Sequence, residues 1–353
     1  MARRHTTVAP ASDAPLDSRS ASRRLVLVAL LVVVLGGAGV WGISRRNPEP
    51  WTALGPGGAI VRALAVDPRA LHTVYASTSD AGLLAHSPAR VEWRALPLAG
   101  GDRTDVRTAT LDPRDPSIVY AATGRGQLFK SADRGATWID TRLVGIDTAT
   151  VVFAIAIDPV EPARLYVGVS GGGILESTDA GATWARLEHP GGTADVVALL
   201  VDPTRHDTVY AASAGAGVAR SSNGGRTWEP MNNGLTTLAV EALAIEPRPP
   251  AVLYAATSGG GVCTAGADGH WHAASRGLTT AVVWALAVDP TRPGTVYAGA
   301  SGGALFASGD RAGSWQLLPA GLIDTVWALA IDPAEDVLYA GTSGHGVFMR
   351  HGH

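Results

Sequence analysis

Residues 151–184 read VVFAIAIDPVEPARLYVGVSGGGILESTDAGATW, and the rest of the chain from residue 51 onward varies on this theme. VVFAIAIDP is a β-branched apolar run closed by a turn dipeptide. ARLYVGVS is a second run, and GGILES is a third after a glycine turn. STDAGATW then turns into a fourth run, WARLEHP. The acid-proline pair that closes the first run recurs as Asp67-Pro68, Asp112-Pro113, Asp158-Pro159, Asp202-Pro203, Glu246-Pro247, Asp289-Pro290 and Asp332-Pro333, at intervals of 43 to 46 residues. All seven tyrosines follow these acids by seven or eight residues. A period near 44 residues with four short strands per unit predicts an all-β, seven-bladed β-propeller of four-stranded blades. Near-continuous apolar runs fit blades covered on both faces. The first run of each unit is the most apolar and the fourth the most polar, which orders them from axis to rim.

The acid-proline pair suits a tight turn, because aspartate bonds its own backbone and proline presets φ. Glycine clusters such as Gly171-Gly172-Gly173 and Gly259-Gly260-Gly261 resemble phosphate loops, but no helix follows them, so they read as turns. Between the third and fourth runs stands Ser-x-Asp-x-Gly-x-Thr-Trp. It is complete at Ser131, Asp133, Gly135, Thr137, Trp138 and at Ser177, Asp179, Gly181, Thr183, Trp184. Asn223 replaces the acid before Trp228, Ala312 replaces the glycine before Trp315, and the copies before Trp93 and Trp271 are degenerate. These boxes read as turn staples rather than catalytic or calcium sites, since a carboxylate can accept backbone N–H bonds across a short loop. Their pattern resembles the Asp-box (bacterial neuraminidase repeat) family, which includes sialidases, sortilin-type receptors, two-propeller xyloglucanases and photosystem II assembly propellers. The resemblance covers residues 51–350 and implies fold more than activity.

The seventh unit has no tryptophan run of its own, whereas Trp51-Thr52-Ala53-Leu54 resembles Trp184-Ala185-Arg186-Leu187. Residues 51–54 are therefore expected to supply the outer strand of the last blade, leaving no open edge. Residues 25–43, LVLVALLVVVLGGAGVWGI, carry no charge over about one hydrocarbon thickness. Five arginines precede this stretch and two follow, which predicts an uncleaved signal anchor. A cleaved signal peptide is the competing reading. The expected layout is a cytoplasmic tail over 1–24, a transmembrane helix over 25–43, a linker over 44–50 and a propeller over 51–350. That places a single-pass protein at the cell membrane with its propeller on the extracytoplasmic side. Cys263 is the one cysteine, so no intrachain disulfide or cysteine metal cluster forms. A net charge of −3 argues against nucleic acid. Neither cofactor nor metal is called for; His345, His351 and His353 read as a polar tail.

Superposed on the acid-proline turns, the first run reads Val-x-Ala-Leu-Ala-Val-Asp-Pro, and x alone does not settle. It is Arg62, Arg107, Phe153, Val197, Glu241, Trp284 and Trp327 in turn. This ring should lie at the mouth of the central channel, with Arg62, Arg107, Phe153, Glu241, Trp284 and Trp327 as the candidate ligand-binding set. Nearby loops add Asp102, Arg103, Asp105, Asp147, Asp195 and Asp324, and turns add Asp80, Arg125 and His345. Two readings stand together. Arginine forks and indole faces form a binding surface, or arginine pairs with glutamate and the aromatics plug the channel.

The resemblance to sialidases would imply an arginine triad and a tyrosine nucleophile backed by glutamate. Here every tyrosine is committed to the repeat, two arginines stand in the ring, and no Phe-Arg-Ile-Pro segment precedes the repeats. The likeness to xyloglucanases would imply two acids between tandem propellers, whereas a single set of seven repeats is read here. An inverting pair about 6.5–9.5 Å apart would draw on Asp105 with Glu241 or Asp324. The photosystem propellers' arginine patch is matched loosely by Arg62, Arg103, Arg107 and Arg125. On these grounds the expectation is a noncatalytic, membrane-anchored binding or assembly scaffold with a protein partner. The alternative is a glycan-active or glycan-binding surface protein, a sialidase-like glycoside hydrolase.

Overall fold

The computed structural model describes residues 50–352 except 70, 71, 91, 99–104, 190 and 267. The stretch 25–43 read as an anchor lies outside the described residues, as do Asp102, Arg103 and His353. Among the described residues no helix is long and apolar enough to cross a membrane. They form seven four-stranded antiparallel sheets. We number these blades 1 to 7 from the inner strands Val61–Asp67, Val106–Leu111, Val152–Ile157, Val196–Val201, Val240–Ile245, Val283–Val288 and Val326–Asp332. The inner strands lie side by side around the axis, with that of blade 7 against that of blade 1.

Burial does not follow apolarity outward from the axis. The second strands, such as Leu165–Val169, are buried at every residue, while the more apolar inner strands are half-buried because one face borders the channel. Each second strand is sandwiched between blades, and close approach shows where side chains would not fit. A Cβ on Gly168 would lie 2.7 Å from the Val196 side chain of the next blade. The apolar clusters run across blade boundaries, as where Tyr166 and Ile174 of blade 3 pack on Val196 and Val209 of blade 4.

Polar ties repeat the same step from blade to blade. Tyr120 Oη donates to the Ala180 carbonyl (3.1 Å) and Tyr166 Oη to the Gly224 carbonyl (3.3 Å), each in the box turn of the next blade. Burial raises the pKa of the tyrosines, that of Tyr339 to about 12, and none of the seven lines the channel. The box tryptophans reach the other way: Trp271 Nε1 donates to the Met231 carbonyl and Trp315 Nε1 to the Ala274 carbonyl, both at 2.7 Å. The turn acids are buried, and Asp Oδ1 accepts the amides two and three residues on, as at Asp158 with Val160 (2.8 Å) and Glu161 (3.1 Å). Glu246 is one methylene longer and crosses to blade 6 instead, accepting from Gly294 N at 3.0 Å and pairing with Arg311 Nε at 3.1 Å.

Closure uses the N-terminal segment. Strand Thr52–Gly55 pairs antiparallel with Val347–His351 and is the outer strand of blade 7. Trp51 packs against the cluster that joins Tyr297 and Leu305 of blade 6 to Leu338 of blade 7, and Trp93 Nε1 of blade 1 donates to the Leu54 carbonyl at 2.9 Å. On the opposite face His72 Nδ1 of blade 1 lies 2.8 Å from Asp332 Oδ2 of blade 7. These contacts add to the apolar cluster in which Val61 and Val74 of blade 1 pack with Val337 and Val347 of blade 7.

The box turns are hydrogen-bonded staples. Asp179 Oδ1 accepts from Thr183 N (2.8 Å) and Ser177 Oγ (2.8 Å), its Oδ2 accepts from Thr183 Oγ1 (2.6 Å), and Gly181 N donates to Ser177 Oγ (2.8 Å). Asp133, Asn223 and Asp310 repeat the arrangement. The hydroxyl bond holds each carboxyl down to about 2: Thr137 for Asp133, Thr183 for Asp179 and Ser308 for Asp310. A carboxyl depressed below its ordinary 3.8 contributes stability that is complete above that value and vanishes as pH falls toward 2. The melting temperature should therefore drop between about pH 4 and pH 2. Replacing Asp133, Asp179 and Asp310 together by asparagine, which blade 4 already accepts at Asn223, should flatten that drop. An unchanged acid limb in the triple variant would show that other groups govern it.

Candidate functional site at the channel mouth

The unsettled position of the inner strand has a structural cause. In every blade the ladder between inner and second strands slips at that residue. Val61 pairs with Thr78 and Ala63 with Ser77, leaving Arg62 as the extra residue of a β-bulge. The same slip strands Arg107, Phe153, Val197, Glu241, Trp284 and Trp327. A bulged residue is unpaired and re-aimed, so its side chain is released from the alternation that governs its neighbours. The preceding valine is fully buried in all seven blades and anchors the bulge.

Six of the seven bulge residues line one open cavity of about 300 Å³ on the axis. Arg107 does not. Its guanidinium is held by Asp105 Oδ1 at 2.9 Å, and Thr108 forms the wall on that blade. Arg62 lies over the Trp327 ring, 4.1 Å from its centroid, and donates to Ser79 Oγ at 2.5 Å. Burial lowers the Arg62 pKa, and the nearby Arg107 charge adds to this. Trp284 Nε1 donates to Ser301 Oγ at 2.9 Å, which fixes that indole. Ser79, Ser301 and Thr108 were invisible in the repeat pattern, since each matters only once the bulges aim side chains toward it.

Glu241 stands apart. It lines the cavity with Val197 and Trp284 from the neighbouring blades and has no hydrogen-bond or ion-pair partner among the described residues. Burial alone raises its pKa. The pairing of Arg62 with Glu241 that a plugged channel requires is not formed. Other acids of this face tie loops instead: Asp80 accepts from Ile60 N (3.2 Å), Asp147 from Ala149 N (3.0 Å) and Asp195 from Gly171 N (2.9 Å). Asp324 lies 2.5 Å from His345 Nδ1. The mouth therefore offers two fixed indoles, one masked by a guanidinium, beside a carboxyl biased toward its neutral form. That combination can stack on a sugar ring and donate a proton.

Comparison with known proteins fits that chemistry. No protein-family model matches the chain, so the likeness to the Asp-box family stands on the box turns alone. Its sequence is similar to that of a xyloglucanase. The Hypocrea jecorina protein of that name is 32% identical over 136 residues, which is 35% of this chain and 15% of that protein. In three dimensions the chain is similar to a Niastella koreensis GH74 enzyme (TM-score 0.72, 18% identity, 85% of this chain and 53% of that one). It is also similar to the Xanthomonas campestris GH74 xyloglucanase (TM-score 0.69, 20% identity, 86% and 53%) and an ancestral GH74 enzyme (0.68, 17%, 85% and 46%). The chain thus spans about half the length of these structures, and the likeness to them is one of fold.

The sequence expectation of a noncatalytic scaffold is overturned by these similarities, because the proteins resembled are glycan-cleaving enzymes by name. That expectation had rested on the missing sialidase residues and on the single set of repeats, although an inverting carboxylate pair on one face was also open.

Proposed function

We propose that the chain is a carbohydrate-active propeller, a glycoside hydrolase acting on a glucan of the xyloglucan class, with the channel-mouth face as its sugar surface. The unpaired Glu241 carboxyl beside the Trp284 indole carries this reading. A carboxyl whose pKa burial raises is better suited to deliver a proton to a glycosidic oxygen, while an indole face packs against the apolar side of a pyranose. Hydrolysis needs a second carboxylate, and Asp105 and Asp324 are two of the acids this face offers. Residues 25–43 would tether the propeller to the outer side of the cell membrane, toward a polymeric substrate.

Affinity electrophoresis and reducing-end release on xyloglucan, mixed-linkage glucan and a sialylated glycan test the proposal. Retardation and cleavage are expected on xyloglucan. Trp284→Ala should weaken retention about tenfold, the equivalent of about 1.4 kcal/mol. Glu241→Gln should lower turnover about a hundredfold, as for loss of a general acid, while retention stays. Absence of both retention and cleavage on every glycan would refute the reading. The folded Glu241 pKa is raised, so its ionisation weakens the fold as pH rises through that value. Glu241→Gln should accordingly melt no lower than the parent at pH 7.

A further inference from the structure

A second cavity, of about 260 Å³, opens at the opposite end of the strands between blades 1 and 2. Its origin lies in two features of blade 1 together. Across from each repeat tyrosine stands one third-strand residue, which varies from blade to blade. It is Lys130 beside Tyr120, with Nζ on the Ala180 carbonyl at 2.9 Å, and Glu176 beside Tyr166, paired with Arg164 at 2.8 Å. Beside Tyr75 it is Ala85, as it is Ala307 beside Tyr297, a side chain too short to fill that space. The box turn of blade 1 is also rewritten: His86, Pro88, Arg90 and Glu92 stand where Ser131, Asp133, Gly135 and Thr137 stand in blade 2.

The result is a basic, underbonded pocket. Arg90 and Arg94 line it from blade 1, and Arg134 from the box turn of blade 2. Tyr75 is 1% exposed, and its hydroxyl is the only tyrosine oxygen among the described residues that is buried without a partner. Arg134 Nε is likewise buried and unbonded, its nearest carboxylate being Asp67 Oδ2 at 3.8 Å. Among the described residues neither Arg94 nor exposed Glu92 forms an ion pair. Arg94 and Arg134 both act electrostatically on the Tyr75 hydroxyl, opposing the upward push of burial and of the Asp67 charge. Three guanidinium groups against Asp67 and Asp115, the latter acting on Arg134, leave a positive excess, and a buried hydroxyl without a partner leaves a donor unspent.

We propose that this cavity is a binding site for a phosphate-class oxyanion, such as that of a sugar phosphate. Guanidinium forks from two blades would grip its oxygens and Tyr75 Oη would donate from the floor. The volume leaves room for a group of sugar size behind the anion. The site is remote from the channel mouth and shares no residue with it, so its fate does not depend on glycan cleavage.

Isothermal titration and thermal shift on the full-length protein, with inorganic phosphate and glucose 6-phosphate as probes, decide the matter. Glucose and sodium chloride at matched ionic strength serve as controls. The phosphates should bind and raise the melting temperature while the controls do not. Arg94→Ala should weaken binding at least tenfold; Arg94 is exposed, so this variant keeps its fold. Ala85→Glu, which places the carboxylate of blade 3 in the pocket, should abolish binding. A phosphate response no larger than that of chloride, or one that survives intact in Arg94→Ala, would overturn the assignment.

Discussion

A chain shortened to begin at Ala59 should lose its single cooperative unfolding transition. The missing strand, Thr52–Gly55, is the outer strand of blade 7, so Val347–His351 would become an open edge with unpaired amides and carbonyls. The damage extends to both neighbouring blades, because Trp93 Nε1 of blade 1 loses the Leu54 carbonyl and Trp51 leaves the cluster that joins Tyr297 and Leu305 of blade 6 to Leu338 of blade 7. Blade 1 and blade 7 keep their inner-strand contact, the His72–Asp332 pair and the apolar cluster of Val61 and Val74 with Val337 and Val347, the last of which now stands on an open edge. Calorimetry should show a broadened or multi-step transition, or aggregation before any transition. A melt superimposable on that of the parent would mean that the ring closes without its strap.

Trp271→Ala should cost about 3–5 kcal/mol, the range for removing a large buried aromatic group. Trp271 is 1% exposed and packs with Tyr210, Val240, Leu253 and Cys263 across the boundary of blades 4 and 5. Its indole N–H also serves the Met231 carbonyl, which would be left without that donor. Since domain stabilities are about 5–15 kcal/mol, the variant should sit near the edge of folding at 37 °C. Chemical denaturation with unchanged slope but a much lower midpoint is the expected result. A loss below about 1 kcal/mol would show that the boundary collapses around the hole. Retained glycan affinity in the folded fraction would separate this structural tryptophan from Trp284.

The ring was legible because its information is local and repeated. Seven acid-proline turns, seven tyrosines and a displaced Trp51 segment each report on one blade, and the sheet order follows. The mouth was legible in outline, since the residue that varied within a uniform strand proved to be the one the ladder skips. The skip itself was not, because a bulge is a relation between two strands and leaves no mark within either. For the same reason Arg107 was expected in the channel, although a loop acid two residues upstream draws it to the wall. Glu246 looked like a conservative stand-in for aspartate until its extra methylene put it on the next blade. The scaffold expectation drew on absent residues, a sialidase triad and a second propeller, and absences say nothing of the surroundings of a residue that is present. That Glu241 is half-buried without a partner among the described residues could be seen only once those surroundings were known.

The seven bulges also bear on how such a protein can change. Residues that hold the ladder and residues that face the channel mouth are disjoint sets, so demands of foldability and demands on the surface of the mouth fall on different codons. A lineage could rewrite the skipped positions, and with them the character of that surface, without passing through an unfolded ancestor.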